Sequence, residues 1–400
     1  MPKRLRKCAL ELIECCKGAL SGCIEELSKL HVLGNDTMAV LDPLESCDTT
    51  SRVQGGQDVA VAVRRGSSRE RRYVVTCRDT PVEKASVPMN QQPFEQMPFQ
   101  TLPEEPRRAH LYSRTREEFI KLDSPHFGRM QVSTRRWGKG PPLVCVHGLM
   151  TTSYSFRYLL EPLADSFELF LFDLPGAGRS DKPDVQYGAF EMADAIGDVM
   201  QAAGLEGAPV LGNSMGGYLC MWLAMRRPAV MSRLVNLHSP GLPTFRVRAL
   251  EGAMALVPRS EALLDWMVAR DPLRWAFRNV HYWDESLKSL EEAREYAAPL
   301  STPDGRRAFS RHLSDTMCAS TMRTFERELQ DRCAQGRPFP VPLQLVYAKR
   351  DPMVPPVVGV KLAKLVPSAK IAWLDEASHF AHVDATDRFL ATMIPFLRGK

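Results

Sequence analysis

The segment 209–217, PVLGNSMGG, limits the fold more than any other stretch of the chain. It passes from an apolar strand through Gly212-x-Ser214-x-Gly216 directly into a helix that runs to about Arg227, where Pro228 stops it. A strand that turns into a helix this abruptly needs small residues two before and two after the turn, because the two elements approach closely there. The central side chain is then presented at the end of the strand in a strained conformation. A serine hydroxyl is a poor nucleophile unless its position is enforced and a base takes its proton. The elbow therefore predicts a sheet whose carboxyl edge also receives a histidine and an acid.

The rest of the chain supplies such a sheet. Met130 to Arg136 alternates in polarity and ends at the turn-like GKGPP, as a hairpin or edge strand does. Short apolar runs follow at Leu143 to Val146, Leu169 to Phe172, Val210 and Leu211, Leu234 to Leu237, Leu343 to Tyr347 and Ile371 to Leu374. Helical stretches separate most of them, which predicts a mostly parallel α/β sheet covered on both faces. The alternation stops between about residues 242 and 335. That region carries Trp266, Trp275 and Trp283 and reads as a helical cap inserted between two strands. The core is thus expected in two parts, 117–241 and 336–400. A chain of 400 residues, 44% hydrophobic and 25% charged, is large enough for this core and more. A net charge of +5 gives no reason to expect a nucleic-acid partner.

The strand LQLVY leads into Asp351, and IAWL leads into DEASHFAHVD, which contains His379. The order Ser214, Asp351, His379 suits nucleophile, orienting acid and base on one sheet. Asp351 would hold the imidazole in the right tautomer; His379 would take the serine proton and return it to the leaving group. Backbone N–H groups of Leu149, in the loop after LVCV, and of Met215, after the serine, are the candidate oxyanion donors. His147 reads as a histidine bonded to its own loop. His382 is a rival base, and Asp375, Glu376 and Asp384 are rival acids. The His379–His382 spacing suits a metal pair only on a helix, and this stretch is expected to be a loop.

These motifs, VHGLMTTSYSF, FDLPGAGRSDKP, GNSMGG, RDPMVPP and ASHFAHVD, occur in an order that resembles the α/β-hydrolase fold family over about residues 117 to 400. The resemblance implies an eight-stranded, mostly parallel sheet, a helical cap, and a structural role for Asp173. Haloalkane dehalogenases and epoxide hydrolases of the family use an aspartate nucleophile, and Ser214 argues against both. GNSMGG is similar to the carbon–carbon bond hydrolases, yet those carry a glycine-rich oxyanion loop and a tryptophan after the histidine. Here the loop is HGLMTT and Phe380 follows His379. The expectation is a serine hydrolase of a carboxylic ester or related acyl substrate, a small and apolar molecule, working through an acyl-serine with no cofactor and no metal. Carbon–carbon bond hydrolysis of a diketone-type substrate and a catalytically silent binding module are the alternatives.

Residues 1–110 match no pattern of the family. Residues 5 to 30 have the spacing of an amphipathic helix, with Cys8, Cys15, Cys16 and Cys23 on or near one side. A small-residue helix face is the plain reading; lipidation with membrane contact, or partner binding, is the sharper one. Glu11 and Glu14 interrupt what would be the apolar core of a secretory signal, so the ten cysteines are read as reduced thiols in a cytoplasmic protein. The arginines from Arg64 to Arg72 and the prolines from Pro81 to Pro106 predict a disordered linker after the helix.

Overall fold

In the computed structural model, which describes residues 93–399 apart from 246, 249–250 and 253–259, the apolar runs pair into one eight-stranded sheet. The strands are β1 Glu117–Ser124, β2 Gly128–Gly138, β3 Pro142–Val146, β4 Glu168–Phe172, β5 Ala208–Asn213, β6 Met231–Leu237, β7 Leu343–Ala348 and β8 Lys370–Leu374. Their order is β1-β2-β4-β3-β5-β6-β7-β8. β1–β2 and β2–β4 pair antiparallel, and every other neighbouring pair is parallel. β1 went unread in the sequence. It is an edge strand, and its pattern EEFIKLDS leaves Phe119 half exposed.

Alternate residues of each strand feed two cores, as the period of two requires. Val144, Val146, Phe170, Phe172, Val210, Leu234 and Leu345 face one side. There they meet Met192 and Ile196 of the helix Ala189–Ala202, Leu219 and Leu223 of Met215–Arg226, and Phe325 of Ala319–Ala334. Leu143, Cys145, Leu169, Leu171, Leu211, Val235 and Val346 face the other, against Leu159, Leu163 and the helix Thr386–Leu397. The expected parallel α/β architecture is the one observed.

Between β6 and β7 the described residues form helices and turns only: Ser260–Arg270, Pro272–Asn279, Leu290–Leu300, Pro303–Arg311 and Ala319–Ala334. A buried ion pair ties this segment to the core. Arg157, in the turn after β3, donates to Glu292 of the helix Leu290–Leu300, and the Tyr282 hydroxyl donates to the same carboxylate oxygen at 2.6 Å. The Arg157 guanidinium also lies 4.5 Å from the ring centres of both Tyr154 and Tyr158.

Residues 93–110, expected to belong to a disordered linker, are an ordered strap. Leu102 is buried against Phe277 and Ala293. The carbonyls of Pro103 and Glu104 accept the N–H groups of Leu290 and Glu291 at 2.8 and 3.0 Å. Those are the first residues of a helix, whose N–H groups have no partner within it. Prolines do not prevent this contact, because the strap offers carbonyls and needs few donors of its own. The predicted helix at 5 to 30, its cysteines and the arginine run lie outside the described residues. Among the described residues, no helix is long and apolar enough to cross a membrane.

The elbow is a tight junction of strand and helix. A methyl group on Gly212 would come within 2.7 Å of the Gly217 Cα, and one on Gly216 would run into the carbonyls of Val146 and His147. All of these obstacles are backbone, so Gly216→Ala should lower the unfolding free energy by about 1–3 kcal/mol. Urea unfolding checks this; a variant as stable as the wild type would show that the backbone can yield.

Candidate active site

In the strand order, β4 lies on one side of β3 and β5 on the other, so the connections leaving β3 and β5 diverge there. A crevice opens at such a point, beyond the carboxyl ends of the strands. Ser214 follows β5, and the loop 147–150 follows β3. Val146 pairs with Gly212 in register, which sets the two loops side by side. The contact is close: a Cβ on Gly148 would sit 3.0 Å from the Ser214 Cβ.

Ser214 has φ 53° and ψ −121°. A non-glycine residue in this region is strained by roughly 1–3 kcal/mol and needs its surroundings to hold it. Its N–H donates to the Leu237 carbonyl of β6 at 2.7 Å, and its carbonyl accepts the Tyr218 N–H at 3.0 Å. Met215 heads the following helix, so its N–H has no intrahelical acceptor. The loop that carries Leu149 is clamped by His147. The Leu174 N–H donates to His147 Nε2 at 2.9 Å, which leaves Nδ1 to donate to the Gly148 carbonyl at 2.8 Å. Burial lowers the pKa of this histidine, keeping it neutral for that double role. His147 therefore bonds its loop, as the sequence suggests. Asp173 is buried and accepts the N–H groups of Ser153 at 2.7 Å and Arg179 at 2.8 Å.

Asp351 and His379 meet. His379 Nδ1 donates to Asp351 Oδ2 at 2.7 Å, and Asp351 Oδ1 accepts the N–H groups of Met353 and Val354 at 2.7 and 2.8 Å. Burial alone would raise the Asp351 pKa; the His379 contact, with His238 and the Val354 N–H, outweighs it and holds the carboxyl below its ordinary value. Asn213, the residue before the serine, donates from Nδ2 to the His379 carbonyl at 3.4 Å and so links the elbow to the histidine loop.

The rivals are occupied elsewhere. His382 is buried with Nε2 2.7 Å from the Ser155 hydroxyl. Asp375 and Glu376 are exposed and pair with Lys349 and Arg388. Asp384 accepts the Trp283 N–H at 2.8 Å and the Ser378 N–H at 3.2 Å, joining the histidine loop to the helical segment. His238 was missed in the sequence reading. It stands immediately after β6, at the same edge as the others, and that position was the available signal. Nitrogen and oxygen atoms of His238, Asp351 and His379 lie within 4.8 Å of one another, close enough to suggest a cation site. Both ring nitrogens of His238 are engaged with backbone groups, and His379 Nδ1 is engaged with Asp351, so the three form a hydrogen-bonded set.

This sheet, with its sharp strand-to-helix turn at Ser214, has the architecture of the α/β-hydrolase class. The chain belongs to the α/β hydrolase fold family, whose sequence profile matches residues 141–386. It is 25% identical over 289 residues to the 2-hydroxymuconate semialdehyde hydrolase of Pseudomonas sp. (strain CF600), covering 69% of this chain and 95% of that one. It is 24% identical over 273 residues to the pimeloyl-[acyl-carrier protein] methyl ester esterase of Aeromonas hydrophila, covering 67% of this chain and all of that one (100%). Among solved structures, a thermophilic esterase from Thermogutta terrifontis superposes with a TM-score of 0.56 at 18% identity, over 70% of this chain and 98% of that one.

Asp384 gives a pH signature. Burial, outweighing the N–H donors, raises its pKa from 3.8 to about 6. The native state then binds this proton more tightly than the unfolded chain, so its contribution to stability is present at low pH and is lost as pH rises toward and through about 6. Asp384→Asn should therefore gain on the wild type by about 2 kcal/mol between pH 4 and pH 7. Urea unfolding at the two pH values measures this, and a constant difference would refute it.

Proposed function

We propose that this chain is a serine hydrolase of a carboxylic ester or related acyl substrate, with Ser214, His379 and Asp351 as its triad. The reading rests on the hydrogen bond of 2.7 Å between His379 Nδ1 and Asp351 Oδ2, at the edge where the elbow presents Ser214. With Nδ1 committed to the carboxylate, Nε2 is the imidazole nitrogen that takes the serine proton. The Ser214 oxygen attacks the acyl carbon, and the Leu149 and Met215 N–H groups receive the negative charge that develops on the carbonyl oxygen. The tetrahedral species collapses to an acyl-serine as the imidazolium protonates the leaving alcohol. Water, deprotonated by the same imidazole, then releases the acid and restores the hydroxyl. No cofactor takes part in these steps.

The helical segment serves as a cap over an apolar acyl pocket. Leu149 and Met150 of the proposed oxyanion loop pack with Val268, Leu300, Phe309, Leu264, Trp275 and Leu313. Of the three tryptophans singled out in the cap, Trp275 alone belongs to this cluster. Trp266 is half exposed, and the Trp283 backbone is bonded to Asp384.

The reading is tested with a fluorophosphonate probe and a panel of aryl esters of increasing acyl length. The wild type should be labelled at Ser214 and hydrolyse the panel; Ser214→Ala should do neither, and Asp351→Asn should lose about 10⁴-fold in kcat. A wild type that the probe leaves unlabelled would be a silent module. Labelling with poor cleavage of every ester, together with turnover of a diketone-type substrate, would point to carbon–carbon bond hydrolysis; the likeness to the semialdehyde hydrolase favours including that substrate. Trp275→Ala should lower kcat/KM for the longest acyl chains about tenfold and leave acetyl esters nearly unaffected. An equal loss across the panel would remove Trp275 from the pocket.

A further inference from the structure

His238 is a buried side chain at this edge that the proposed mechanism leaves without a task. It is the first residue after β6 and has φ 54°, a strained value for a histidine. Its own N–H donates to the Val346 carbonyl at 2.9 Å. Its ring makes two further bonds. The Ala348 N–H donates to Nε2 at 2.8 Å, so that nitrogen carries no proton. The proton is then on Nδ1, which donates to the carbonyl oxygen of His379 at 2.9 Å. Burial lowers the pKa of His238 to about 4, so this neutral tautomer persists at neutral pH.

One hydrogen bond to Asp351 orients the His379 ring but does not fix where its main chain stands. That main chain is held at its carbonyl by two donors, His238 Nδ1 at 2.9 Å and Asn213 Nδ2 at 3.4 Å. The donors stand at the carboxyl ends of β6 and β5, and Ser214 directly follows β5. The geometry points to His238 as a positioning residue, which fixes the His379 main chain to the rigid sheet edge that holds the serine and so sets the gap between imidazole and hydroxyl. The inference rests on the serine-hydrolase reading. Displacements of about an ångström at such a gap cost on the order of 100-fold in rate.

Two substitutions separate positioning from mere filling of space. In His238→Asn the amide nitrogen stands near the place of Nδ1 and can still reach the His379 carbonyl, but the Ala348 N–H loses its acceptor. In His238→Gln the amide oxygen stands near the place of Nε2, which keeps the Ala348 bond and loses the one to His379. Each variant thus loses one buried hydrogen bond, and the two should show similar falls in Tm. The glutamine variant should lose at least about 30-fold in kcat, with KM within about threefold. Its Ser214 labelling rate should fall in parallel, whereas the asparagine variant should return to within about fivefold of the wild type. If the glutamine chain does not fold, His238→Met, which fills the space and donates nothing, should show the same loss. The low-field proton resonance of the His379–Asp351 hydrogen bond reads the same effect without substrate: it should broaden or shift in the glutamine variant more than in the asparagine one. Equal activities for the two variants, or activities that follow Tm alone, would overturn the inference. A wild type that fails to label at Ser214 would instead sink the hydrolase reading, with the resonance still reporting whether His238 positions His379.

Discussion

The close approach of β5 to the helix behind it is the constraint on which the rest of the site depends. Gly212, Gly216 and Gly217 bring backbone against backbone, and a methyl group at Gly212 or Gly216 would collide with main-chain atoms. The approach forces Ser214 into a positive φ that its neighbours must hold. The Leu237 carbonyl accepts its N–H, and the helix that follows is buried without interruption from Met215 to Ala224. Each buried apolar side chain contributes about 1.5–3 kcal/mol, so a single strained residue is readily offset.

Buried histidines fix the loops that leave this sheet edge. His147 joins the loop after β3 to the one after β4, and His238 joins the end of β7 to the histidine loop. Each accepts a backbone N–H at one nitrogen and donates to a backbone carbonyl from the other. Only a neutral imidazole can do both, and burial, by lowering both pKa values, favours that form. His379 differs because its Nδ1–H donates to the Asp351 carboxylate rather than to a backbone carbonyl, as the proposed chemistry requires.

The helical segment between β6 and β7 is fastened to the core by polar contacts as well as apolar ones. Glu292 receives Arg157 and Tyr282, and Asp384 receives the Trp283 N–H. A buried ion pair adds little net stability compared with apolar residues of the same size, but loss of one partner leaves an unpaired buried charge, which costs about 3–5 kcal/mol. Such a contact tolerates few alternative arrangements of the segment against the core. The strap at 93–110 adds a further fastening where it caps the helix Leu290–Leu300.

Local signals in the sequence determined the strands β2 to β8, the helix after the elbow and the helical character of the segment before β7, because hydrophobic period and turn chemistry are properties of neighbouring residues. They also put Ser214, Asp351 and His379 at strand ends, in the order this sheet needs. The edge strand β1 and the strap escaped, since each is polar by local pattern and gains its partners only from distant segments. Tertiary structure alone decided that Asp351, and not Asp384, meets His379, that His382 turns to Ser155, and that His238 grips the histidine loop. Those outcomes follow from which strands are neighbours, in what register, and which side chains burial leaves with a single partner, and no window of contiguous residues contains that information.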